Sequence, residues 1–167
     1  MRRLICAVLI CVVLLSGCWN QSESDYTRPA YFYYPLISFD LTSGNRVLAY
    51  ELQEGEEFSS EKELLAHYLE GPNNGSLYSP FPVGGSVVDY TVSDGIVRIY
   101  LSHHFNELIG VSFTIATSCI AMTILTYTGF NSVEINVMDM DGEIARFVTL
   151  TQDHIMLIDT CTAPPAE

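Results

Sequence analysis

The stretch Val111–Thr128, VSFTIATSCIAMTILTYT, decides how the whole chain is read. It carries no charge, and its length suits either a membrane span or a buried helix. A spanning helix wants about 20 predominantly apolar residues with interfacial flanks. Here Thr114, Thr117, Ser118, Thr123 and Thr126 dilute the hydrophobicity. Asn106 and Glu107 before it, and Gly129 and Asn131 after it, are ordinary loop residues. The pattern predicts a buried core helix, and hence one globular domain rather than a two-pass membrane protein.

The neighbours of this stretch need such a helix. Before it, Val88, Tyr90 and Val92 alternate with Asp89 and Thr91, and Val97, Ile99 and Leu101 alternate with Arg98, Tyr100 and Ser102. Asp94-Gly95 between them is a strong two-residue hairpin signal. After it, Val133, Ile135 and Val137 alternate with Glu134 and Asn136. Each of these strands presents one apolar face that something must cover. Asp139 to Gly142 reads as a turn. Ile144–Leu150 and His154–Asp159 read as two more short strands, paired with each other through Thr151 to Asp153.

On the N-terminal side, Ser60 and Glu63 form a capping-box pattern, and Leu64, Leu65, Tyr68 and Leu69 share one helical face. Gly71-Pro72 stops that helix. Tyr31–Ser38, YFYYPLIS, reads as a strand in which Pro35 implies an edge or a bulge. Arg46–Leu52 reads as a second short strand. The order helix, hairpin, helix, strand places two helices on one face of a mainly antiparallel sheet, an α+β two-layer sandwich.

Residues 1–17 read as a targeting segment. Arg2 and Arg3 precede the apolar run Leu4–Leu15, which is short for a span and suits a signal peptide. The run ends Leu15-Ser16-Gly17-Cys18, which resembles the bacterial lipobox, where the cysteine becomes the lipidated first residue of the mature chain. Residues 18–30 are then a polar, lipidated tether, 31–159 a single domain, and 160–167 a tail. The expected location is the extracytoplasmic face of the membrane, with acyl chains on Cys18 as the anchor.

The chain has 7 Lys+Arg and 20 Asp+Glu, net −13. Loss of Arg2 and Arg3 leaves 5 against 20, net −15. Such a surface repels nucleic acid and anionic head groups. It suits a basic protein partner or bound cations, and equally suits plain solubility.

Several pieces in order resemble one family. They are LEGP at 69–72, SPFPVGG at 79–85, VSDGIVRIYLSHHF at 92–105 and TILTYTGFNSVEINV at 123–137. Together they resemble the GerMN domain family of sporulation and germination proteins over roughly two thirds of the chain. Thr123, Gly129 and Val133 keep the family pattern. Leu125, Thr128, Phe130 and Tyr100 depart from it, standing where Thr, Pro, Val and an acid are usual. The resemblance implies a non-catalytic envelope module of Gram-positive, often spore-forming, bacteria, in a class of small α+β domains that build rings and assembly interfaces.

Candidate chemistry is sparse. His103-His104 beside Asn106 and Glu107 suggests a metal site only weakly, because adjacent side chains at a strand end point in opposite directions. His67 and His154 are isolated. Asp139, Asp141 and Glu143 around Gly142 lack the full calcium-loop spacing and read as a solvated turn. Cys119 and Cys161 remain after lipidation of Cys18; they pair in an oxidising compartment, or Cys119 is a small buried side chain. No nucleophile elbow, phosphate-cradling loop or paired-carboxylate site stands out, so no enzyme, cofactor or metal is expected.

Two functional classes follow. The first is a lipid-anchored domain that assembles with envelope proteins or with itself; it requires an exposed strand edge or apolar patch. The second is a module that binds or remodels peptidoglycan or another glycan; it requires a concave site with carboxylates or aromatics. Tyr31, Tyr33 and Tyr34 either line such a groove or belong to a half-buried strand.

Overall fold

A computed structural model describes residues 28–37, 48–53 and 58–155. The targeting segment, Cys18, most of the tether, the strand start at 46–47, residues 156–159, Cys161 and the tail lie outside the described residues. Six strands and two α-helices are described: β1 (Ala30–Pro35), β2 (Leu48–Gln53), α1 (Glu61–Tyr68), β3 (Val87–Ser93), β4 (Ile96–Leu101), α2 (Val111–Thr128), β5 (Ser132–Met138) and β6 (Ile144–Thr151). The fold is α+β, as the residue pattern implied. β1 and β2 pair as an antiparallel ribbon, and the remaining strands form a sheet in the order β3-β4-β5-β6.

The β3–β4 hairpin turns on Asp94 and Gly95, with φ of 54° and 75°. Both are positive, as the mirror-image hairpin turn demands. Val97, Ile99 and Leu101 of β4 are fully buried. β3 departs from the expected alternation. Its register shifts between Val87 and Asp89, so Val87 stands opposite Leu101 and Val88 is the bulged residue. The bulge leaves Val88 exposed; beyond it Tyr90 and Val92 stand opposite the buried Ile99 and Val97, Tyr90 half-buried and Val92 exposed at the sheet edge. Bulges are a usual way to blunt a sheet edge. Lys62 Nζ adds to the protection by donating to the Val88 carbonyl at 2.6 Å.

β4 and β5 pair in parallel, with Ile99 opposite Ile135. A parallel pair needs a long crossover, and α2 is that crossover. β6 returns antiparallel to β5, with Val133 opposite Leu150 and Ile135 opposite Val148. The expected strand start at His154 is corrected: Gln152–His154 form a 3-10 helix; β6 pairs with β5, and residues 156–159 of the expected partner strand lie outside the described residues. Ile155 follows, buried in the core.

Helix α2 has the bounds of the deciding stretch. All ten residues from Ala116 to Leu125 are buried, including Thr117, Ser118 and Thr123. A helix buried all round needs cover on every side. The sheet, α1 and β1 supply it. Several hydroxyls along the helix have partners. Thr117 Oγ1 donates to the Phe113 carbonyl at 2.9 Å, and Thr128 Oγ1 to the Ile124 carbonyl at 2.7 Å. Thr123 Oγ1 accepts from the Tyr33 N–H at 3.1 Å, tying β1 to the helix. Gly129, at φ 75°, ends α2 and donates its N–H to the Leu125 carbonyl.

β1 alternates as a half-buried strand. Phe32 and Tyr34 point inward and are fully buried, while Tyr31 packs edge-on and Tyr33 tilted against Tyr50 of β2, at 5.2 and 5.8 Å between ring centroids. Tyr68 of α1 is the hub of an aromatic cluster, 5.0 Å from each of Phe32, Tyr34 and Phe81. Its hydroxyl donates to the Tyr33 carbonyl, and Tyr34 donates to the Tyr68 carbonyl at 2.8 Å. α1 starts at Ser60, whose hydroxyl accepts from the Glu63 N–H at 3.2 Å. Glu63 closes the return bond on the Ser59 N–H at 2.7 Å, one residue earlier than a regular capping box.

Candidate interaction surface

The sequence-predicted candidates are scattered. His103 and His104 lie in a 3-10 helix (His103–Glu107), not on a strand. The expectation of opposed side chains is thereby corrected: the tighter helical turn brings their rings to 4.1 Å, 31° from parallel. His104 Nδ1 lies 3.4 Å from Ser102 Oγ. Among the described residues no group of three His, Cys, Asp or Glu side chains is placed to hold a metal.

Asp139, Asp141 and Glu143 meet in the β5–β6 turn. Asp139 Oδ1 accepts from the N–H groups of Asp141 and Glu143, both at 2.9 Å. The carboxylate thus holds the turn's own backbone, as Asp does in tight turns.

Cys119 is buried in the middle of α2. Desolvation raises its thiol pKa well above the usual range, with a weaker opposing hydrogen bond from Tyr68. Such a thiol is inert in the folded chain. Cys18 and Cys161 lie outside the described residues. Burial likewise pushes up the phenols of Tyr34 and Tyr68, so both stay neutral donors. Desolvation moves Tyr90 to about 12.

A shallow cleft of about 200 Å³ lies between the 78–81 loop and the start of α2. Tyr78, Pro80, Phe81, Leu108 and Ile115 line it with two serines, and no carboxylate does. Its polar groups are the Tyr78 phenol and the hydroxyls of Ser79 and Ser112.

The exposed apolar residues are better organised. One end of the domain is defined by the C-terminal ends of β4 and β5, the 3-10 helix and the start of α2. Asn106 Nδ2 ties this end together by donating to the Met138 carbonyl at 2.9 Å. Arg146 of β6 also binds here: its guanidinium lies 3.7 Å over the Phe113 ring and donates to the Phe105 carbonyl. Burial lowers its pKa. The 80–86 loop joins the same end, because a side chain on Gly85 would meet Phe105 and one on Gly84 would meet His104.

From this end project Val83, Met140, Ile109 and Val111, which are 96%, 85%, 81% and 73% exposed. Ile144 is half exposed beside them at the start of β6. Apolar side chains scattered singly are normal on a surface, but four this exposed on three loops at one end form a crown. Glu107, Asp141 and Glu143 are exposed around it.

The chain enters from the opposite end. Tyr33 meets Thr123 and Thr126, in the last third of α2. Two residues on, the Pro35 carbonyl accepts from the Tyr78 N–H at 3.1 Å, and Tyr78 lines the cleft with Ser112 and Ile115. β1 therefore runs antiparallel to α2, and Ala30 lies towards the helix C-terminus. The crown and the start of β1 are separated by about the length of α2, 18 residues at 1.5 Å each, or ~27 Å.

Fold and surface together define a small α+β domain with an apolar crown at one end and its N-terminal strand entering from the other. No family profile matches the chain, and no curated protein sequence does. Among solved structures it is similar to the tandem GerMN domains of the sporulation protein GerM from Bacillus subtilis. The identity is 18% and the TM-score 0.49, over 72% of this chain and 45% of that one. The chain thus spans less than half of that tandem structure. It is also similar to a candidate lipoprotein from Clostridium perfringens, at 21% identity and a TM-score of 0.41, over 75% of this chain and 88% of that one. The first of these structures bears the family name that the sequence motifs resemble.

Proposed function

We propose that this chain is a non-catalytic interaction domain of the bacterial cell envelope, held at the outer face of the membrane through lipidated Cys18. The observation that carries the reading is the apolar crown opposite the start of β1. A domain tethered through β1 presents that crown away from the bilayer, where a protein partner can reach it. The lipobox-like Leu15-Ser16-Gly17-Cys18 supports the anchor. The motif resemblance supports a setting in sporulation or germination.

The glycan-binding alternative would use the Tyr31, Tyr33 and Tyr50 cluster on the outer side of the ribbon. Fractionation and pulldown separate the readings. Full-length chain should sediment with membranes, Cys18→Ala should change its processing and release it, and a protein partner should be recovered after solubilisation. Retention on purified cell wall with no protein partner would overturn the interaction reading.

A further inference from the structure

The interaction reading leaves the chemistry of the partner open. The charges around the crown narrow it. Glu107 precedes Ile109 and Val111, and Asp141 and Glu143 flank the turn that carries Met140. The nearby cations are engaged elsewhere. Arg146 is committed to the Phe113 ring and the Phe105 carbonyl, and Lys62 to the Val88 carbonyl on the β3 edge. The crown is thus a set of apolar knobs with a negative rim.

That combination selects among occupants. An anionic bilayer would be repelled by the rim, although the knobs alone would suit it. A second copy would bring the same acids against themselves, on a chain of net charge −13. Like charges brought together across an interface are costly, whereas complementary potentials steer association and fix orientation.

We propose, resting on the interaction reading above, that the crown docks an envelope protein through an apolar patch rimmed by Lys and Arg. Val83, Ile109, Val111 and Met140 enter the patch, and Glu107, Asp141 and Glu143 meet the basic rim. Asp139 is not part of the contact, because its carboxylate holds the turn from within.

Photo-cross-linking in intact cells tests this on the full-length chain. A photoreactive amino acid replaces Ile109 in one variant and Val92, at the other end of the sheet, in a second. Adducts are identified by mass spectrometry and mapped to the partner peptide. The expected result is a protein adduct from position 109 and none from 92, at a partner segment with Lys or Arg beside apolar residues. The adduct should be lost when Glu107→Gln, Asp141→Asn and Glu143→Gln are combined, with unchanged far-UV circular dichroism of that variant.

A phospholipid adduct, a second-copy adduct, or a partner peptide without cations would each overturn the basic partner. A protein adduct at 109 that survives the triple neutralisation would overturn it while leaving the interaction reading intact. Cross-linking only from 92, or from neither position, would overturn both.

Discussion

Replacing Thr123 by Val separates a core helix from a membrane helix by a single hydroxyl. In the folded domain Thr123 is fully buried, and its Oγ1 accepts the Tyr33 N–H at 3.1 Å. Tyr68 reaches the same hydroxyl. Valine has nearly the same shape, so no cavity opens, but the partly buried Tyr33 N–H loses its acceptor. Leaving such a donor unpaired costs about 1–3 kcal/mol. The added apolar group returns at most ~0.8 kcal/mol. The net loss is about 1 kcal/mol. For a domain of this size the urea midpoint should fall by roughly 0.5 M, taking a slope of about 2 kcal/mol/M. The assay is equilibrium urea unfolding of a chain beginning at Ser22, which should itself be soluble without detergent. Thr114→Val is the control. It makes the same chemical change at an exposed position of the same helix and should be nearly neutral. In a bilayer the same swap at position 123 removes a polar group from hydrocarbon, which is favourable. A Thr123→Val chain as stable as the parent, or more so, would refute the tie between β1 and α2. Retention of the Ser22 chain in the membrane fraction would refute the core-helix reading altogether.

Gly85→Ala should destabilise by about 1–3 kcal/mol, a drop of several degrees in Tm, because overpacking has no relief here. The new Cβ would lie 2.8 Å from Cε2 of the fully buried Phe105 and 3.0 Å from the Pro82 carbonyl oxygen. Cys119 should resist thiol reagents in the native chain and react on unfolding, since burial keeps it protonated; prompt native reaction would contradict the packing. Non-reducing mass spectrometry that finds Cys119 and Cys161 both free would end the disulfide idea. Glu63 has a lowered pKa, chiefly from the Ser59 hydroxyl and then the Ser59 N–H. A depressed folded pKa means that its stabilisation is present above the ordinary carboxylate range and disappears as pH falls through the folded value. The Tm difference between the parent and Glu63→Gln should therefore be present near neutral pH and vanish in acid; a difference independent of pH would refute it.

The elements legible in the sequence were those set by local chemistry. Asp94-Gly95 forces its turn through positive φ at both residues, and the uncharged run between Gly110 and Gly129 marks α2 to the residue. Ser60 signals its cap. What escaped depends on register or distant packing. The bulge at Val88 is invisible in an alternation that reads Val88, Tyr90, Val92 equally well without it. His103-His104 looked like a strand end because they follow directly on the alternation that runs to Leu101-Ser102, and only the docked Phe105 shows why the chain coils there. The parallel pairing of β4 with β5 follows once α2 is a crossover, but periodicity alone does not choose strand order. The crown was least legible, since Val83, Ile109, Val111 and Met140 are isolated apolar residues until the fold brings their loops to one end.

The residues that argued against a membrane span also explain why β1 is attached as it is. An apolar helix in a bilayer needs no partner for its surface, whereas α2 is buried all round from Ala116 to Leu125 and must be covered there on the side the sheet does not reach. β1 provides that cover, with Phe32 and Tyr34 inward and Tyr33 bonded through its N–H to Thr123 and through its carbonyl to Tyr68. The same strand follows directly on the tether. Any pull transmitted from a lipid anchor would thus load β1 first, and β1 is fastened to α2 and α1 by hydrogen bonds and aromatic packing rather than only by pairing with β2. A single strand of a two-stranded ribbon would be a weak attachment on its own, because isolated ribbons are marginal in water. The buried hydroxyl of Thr123 therefore serves two ends: it ties α2 to the core packed around it, and it fixes the strand by which the chain enters the domain at the end opposite the crown.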